Sequence, residues 1–108
     1  MMANPYAGEV ALVIDGERRA LKLTLGALAE LETALGADSL MALVERFEAG
    51  RFSTRDVLAL ILAGLRGGGW QGGAEALLTA EIGGGPVAAA RVAAQLLARA
   101  FALPEGGA

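Results

Sequence analysis

The chain has 108 residues, 55% of them hydrophobic, with 9 Lys+Arg against 12 Asp+Glu and a formal charge of −3. That length closes one core and leaves no room for a second, and the acidic balance, with no basic run longer than Arg18-Arg19, argues against a nucleic-acid partner. Cys and His are both absent, which removes disulfides, thiolate nucleophiles, most zinc sites and the commonest general base. A non-enzymatic protein without metal, cofactor or small-molecule substrate is therefore expected.

The first element in chain order is a β-hairpin within residues 9–23, where two alternating segments flank Asp15-Gly16, a preferred pair for a type I′ turn. If Asp15 and Gly16 form the loop, Ile14 faces Glu17, Leu12 faces Arg19, Val10 faces Leu21 and Glu9 faces Lys22. This register collects Val10, Leu12, Leu21 and Leu23 on one apolar face and puts a Glu9–Lys22 ion pair on the other. An isolated hairpin is marginal in water, so helices or another chain must cover it.

Thr24 is a candidate N-cap for a helix over about 25–35, with Leu28, Leu31 and Leu35 on one stripe and Gly36 as its stop. Asp38 or Ser39 caps a second helix over 39–49, on which Leu40, Leu43, Val44 and Phe47 share a face and which Gly50 ends. Ser53 and Asp56 form a capping box that opens a third helix over 54–66. Its residues Val57, Leu58, Leu60, Ile61, Leu62 and Leu65 cover an arc of about 200°, more than a surface helix needs, so it is expected at the centre or under a partner. Eight glycines between Gly67 and Gly85 break the pattern, leaving room for one short helix over 74–81. Pro86 suits the first turn of a last helix over 86–102, with Arg91, Gln95 and Arg99 as its narrow polar side, before a tail over 104–108. The fold class expected is α+β: an N-terminal hairpin followed by four to five short helices in one small domain.

The apolar segments are too short for a membrane partner. Val57 to Leu65, the longest apolar-plus-glycine run, is about half a bilayer span. The segment MMANPYAGEV lacks the basic start and apolar stretch of an export signal, so a cytoplasmic location in the producing bacterial cell is expected.

Features that look chemical have plainer readings. Gly67, Gly69 and Gly72 satisfy G-x-G-x-x-G, but they follow a helix, whereas a dinucleotide fingerprint follows a strand and opens a helix. Ser39 and Ser53 serve better as caps than as nucleophiles without a base. Glu30 and Glu32 point to different sides of their helix and cannot share a substrate. Trp70, alone in a glycine loop, is either a lid over the core or an exposed anchor for a partner. On the last helix Val87, Ala90, Ala94, Leu97 and Phe101 recur at spacings of 3 and 4, a seam distinct from the Val92, Leu96 and Leu103 side. Val92 and Leu96 are assigned to the core. Leu97 and Phe101, with Val87, Ala94 and Trp70, are the candidate partner-binding residues, and the glycine-rich approach would let this helix shift on binding.

The VIDGE hairpin, the LTLGALAELE segment at Thr24 to Glu32 and the GRFSTRDVLALILAGLRGGG block from Gly50 to Gly69 resemble the tail assembly chaperone family of gene transfer agents and related siphophage-like prophages. The resemblance runs over nearly the whole chain and consists of structural phrases, not catalytic signatures. Trp70 to Glu75 depart from it, with glycines in place of the polar cap before a fourth helix. It implies a phage-tail chaperone that binds the tape-measure protein, the tail-tube protein or both, keeps them soluble until polymerisation, and is absent from the mature particle. The alternatives are a structural tail component that stays in the particle and a generic homodimeric interaction module. Low aromatic content and a single short hairpin disfavour a tube-forming subunit.

Overall fold

The computed structural model describes residues 8–36 and 39–101. Asp38, Ala102, Leu103 and the expected tail over 104–108 lie outside the described residues. The elements run β1 (Val10–Ile14), β2 (Glu17–Leu21), α1 (Leu25–Leu35), α2 (Leu40–Glu48), α3 (Thr54–Gly67), α4 (Ala74–Leu78) and α5 (Gly85–Phe101). The α+β class and the hairpin-then-helices order are as expected.

The hairpin has the expected register, with Val10 opposite Leu21, Leu12 opposite Arg19 and Ile14 opposite Glu17. Asp15 and Gly16 take φ of 51° and 80°, the positive pair that a type I′ turn demands. The ladder closes at Val10 and Leu21, one pair short of Glu9 and Lys22; the Lys22 backbone N–H turns instead to the Gly64 carbonyl at 2.9 Å. Val10, Leu12, Ile14 and Leu21 are buried. Arg19, on that same face, directs its guanidinium to Glu17 at 2.6 Å.

Three helices start on side-chain caps. Thr24 Oγ1 accepts from the Ala27 N–H and Ser39 Oγ from the Ala42 N–H, each at 3.1 Å. Ser53 and Asp56 complete a reciprocal capping box. The apolar arc of α3 is resolved as centrality: this helix packs against α1, α4, α5 and β2, and Leu60, Ile61 and Leu65 are fully buried. β2 comes so close that a Cβ on Gly67 would overlap the Lys22 carbonyl and one on Gly68 the Ala20 carbonyl. The glycines of the apparent nucleotide motif therefore begin where a helix lies directly on strand backbone.

α4 is shorter than the expected 74–81, ending at Leu78. The cause is competition from the hairpin. Ile82 bridges Ile14 in antiparallel fashion, Asp15 N–H reaches the Glu81 carbonyl at 2.8 Å, and Gly83 N–H reaches the Val13 carbonyl at 2.9 Å. Residues 81–83 thus behave as a fragment of a third strand, and Gly84 and Gly85, at φ 85° and 70°, turn the chain into α5. Its entrance is pinned to the hairpin tip, contrary to the expectation of a loose approach that would let α5 shift.

Candidate functional site

α5 presents two faces. Val92, Ala93 and Leu96 are buried against α3 and the hairpin. The other face holds the predicted seam. Val44, Phe47 and Glu48 of α2 and Ala94, Leu97, Ala98 and Phe101 of α5 enclose a hollow of about 370 Å³. A second hollow, of about 250 Å³, continues the line past Pro86 and Ala90 to Phe52, Ser53, Thr54, Val57 and Leu58 at the start of α3. Phe47 of the first hollow stacks on Phe52 of the second, with ring centroids 4.5 Å apart and planes 8° apart. Together these make a groove with helices on both sides.

The candidate residues divide. Phe101 is 40% exposed and Val87 68% exposed, whereas Leu97 is only 4% exposed. Leu97 is thus floor and core at once, which corrects the assignment of that residue to the partner side alone. Ala94 is exposed on the wall. Trp70 does not join the groove. It is half-buried against the core, its ring lies over Gly72, and it borders a small hollow with Arg18, Arg19, Ala20, Gly68 and Gly69. The lid reading describes it.

One ionic arrangement holds the α2 wall in place. Arg46 donates from Nε to Asp56 Oδ2 at 2.9 Å and from Nη2 to Asp56 Oδ1 at 2.8 Å, a bidentate pair across the α2–α3 junction. Asp56 also accepts from the Ser53 N–H at 2.9 Å. The Arg46 hydrogen bonds, foremost, hold the Asp56 carboxyl below the ordinary aspartate range, against burial, which pushes it up. Sequence reading saw the capping box but missed the arginine, because a partner ten residues away across a loop has no periodic signature. The Phe47–Phe52 stack escaped for the same reason.

A hollow of similar size between α1 and α3 is lined by Thr33, Ala34, Ala59 and Leu62 among others, and Arg66 and Glu30 pair at its side at 3.4 Å. It carries none of the large exposed apolar side chains that line or adjoin the α2–α5 groove. Among the described residues, no three His, Cys, Asp or Glu side chains converge as a metal site requires, and no helix is long and apolar enough to cross a membrane.

The fold and groove describe a small helical domain with a hairpin, and it is comparison with protein families that places the chain among proteins of phage-like tails. Residues 7–103 match the family described as phage tail tube protein, GTA-gp10, and the chain belongs to that family. The expected phage or gene transfer agent tail context therefore holds, while the family's description is tail tube protein and not assembly chaperone. No curated protein and no solved structure matches the chain.

Proposed function

We propose that this chain is a non-enzymatic assembly chaperone of a phage-like, gene transfer agent tail, acting in the cytoplasm of the producing cell. Its partners are the tail-tube protein, the tape-measure protein or both, held through the α2–α5 groove until they polymerise. The observation that carries this reading is the contrast between sheet and groove. The hairpin strands are five residues each; the turn end of β1 is taken within the chain by Glu81–Gly83, and the residue just past β2, Lys22, donates its N–H to Gly64. A tube closed by inter-subunit sheets needs long strands with edges to offer. The groove, in contrast, is apolar, concave and built from helices, the usual receptacle for a segment of another protein.

A second reading, a subunit of the tube itself, is favoured by the family's description. Co-expression separates the two. A chaperone raises the soluble fraction of the tail-tube or tape-measure protein and is missing from purified particles by mass spectrometry, whereas a tube subunit is recovered from particles in many copies. Recovery in stoichiometric amounts from finished particles would overturn the chaperone reading.

A further inference from the structure

We infer that the α2–α5 groove takes an amphipathic helix of another chain, oriented so that a cationic flank of that helix lies along α2. This rests on the chaperone reading and adds the chemistry of the occupant. Three observations carry it.

The first is the nature of the walls. α2, the start of α3 and α5 line the groove, and helix backbones keep their N–H and C=O groups within the helix. An extended occupant would find no backbone partners there, and its own amides would be buried unpaired. A helix arrives with those bonds already made.

The second is spacing. Val87, Ala90, Ala94, Leu97 and Phe101 follow the 3-4-3-4 rhythm into which the side chains of a second helix fit. The seam is about 21 Å long at 1.5 Å per residue, room for about four turns of a partner. Ala90 and Ala94 in its middle leave holes, and the larger Val87 and Phe101 close its ends.

Charge supplies the third. Glu48 lines the groove, and Glu45 lies one turn before it on the exposed side of α2. Arg46, the basic residue of that helix, is turned inward onto Asp56. Among the described residues neither glutamate has an ion-pair partner, Arg51 just beyond the helix included. The rim along α2 is thus anionic beside an apolar floor, and lysine or arginine on the occupant would complement it.

Two synthetic 18-residue helical peptides test this, identical in an alternating leucine and alanine seam, one with lysine along one flank and the other with glutamate there. NMR titration of the full chain should show the lysine peptide shifting Val44, Phe47, Leu97 and Phe101 signals. It should bind about fivefold more tightly than the glutamate peptide at low salt, with the difference shrinking as salt rises. The doubly substituted chain Glu45→Lys with Glu48→Lys, altered only at exposed positions, should reverse the preference. Equal binding of both peptides, shifts confined to other surfaces, or a homodimer that Phe101→Ser dissociates would each overturn the inference. If the peptides fail but Phe101→Ser still abolishes solubilisation of the tail proteins, only the occupant's chemistry is wrong. If the charge preference holds and the tail proteins are soluble without this chain, the chaperone reading is what falls.

Discussion

Asp15 and Glu81 bond each other twice: the Asp15 N–H donates to the Glu81 carbonyl at 2.8 Å, and the Glu81 N–H donates to Asp15 Oδ1 at 2.9 Å. A turn residue 66 positions away in sequence therefore ends α4 early and sets where α5 begins. Asp15→Ala removes the side-chain acceptor and places alanine at a φ of 51°, which should cost about 2 kcal/mol in chemical denaturation. Asp15→Asn keeps both the acceptor and the tolerance of that φ and should stay near wild type. Hydrogen exchange at the Glu81 amide should quicken in the alanine variant; unchanged protection would show that the clasp contributes nothing.

The packing of α3 on β2 makes a sharper test. Gly67→Ala drives a methyl into the Lys22 carbonyl, and because that neighbour is backbone it cannot rotate away. A loss of about 2 kcal/mol or more is expected. Gly26→Ala, in the exposed first turn of α1 where the added methyl would meet only Thr24 Oγ1 at an ordinary contact of 3.9 Å, should instead stabilise by about 0.5 kcal/mol through helix propensity. Paired thermal melts give both signs in one experiment.

Asp56→Ala removes the carboxylate that accepts two hydrogen bonds from Arg46 and half the capping box of α3, with an expected cost of about 3 kcal/mol. Ser53→Ala should cost about 1 kcal/mol, since only a cap is lost. The pair also sets a pH response. The Asp56 pKa is lower in the folded protein than its ordinary value of 3.8, so its stabilising contribution is fully present above that value and is lost as the pH falls through the depressed folded pKa. Acid titration of the wild type should show a drop in stability there that Asp56→Asn lacks. Parallel acid curves for the two proteins would contradict the assignment.

On α5 two substitutions should part company. Leu96→Ser, at a residue 1% exposed, should lose about 4 kcal/mol. Phe101→Ser, at 40% exposure, should cost about 1 kcal/mol while abolishing capture of the tail partner. Leu97→Ser cannot serve as a binding variant, because its burial predicts unfolding. If Phe101→Ser melts as low as Leu96→Ser, the outer seam is core and the groove is not a site.

Where the chain's own local chemistry decides the structure, the sequence was readable. Asp15-Gly16 dictated the turn and so the register down to Val10 and Leu21; Thr24 and Ser53 marked two helix starts and the choice of Asp38 or Ser39 bracketed a third; and the α5 periodicity separated Val92 and Leu96 from the groove side. What escaped was set by distant partners. The pattern over 74–81 reads as helix until the hairpin tip takes Glu81 and Gly83. Nothing in the local pattern points Arg46 at a partner until the fold brings Asp56 beside it. Leu97 belongs to the seam by spacing and to the core by position, and only the placement of α2 reveals the overlap.

The glycines at the end of α3 meet the carbonyls of Lys22 and Ala20, atoms that every amino acid possesses. The side chains at positions 20 and 22 can therefore drift among relatives without any compensating change at 67 and 68, while those two positions tolerate almost nothing. Correlated substitutions would leave this joint invisible, although helix backbone and hairpin backbone approach too closely there for a Cβ to fit. A paired glycine closing the third helix thus marks a backbone-to-backbone joint that the neighbouring side chains do not encode.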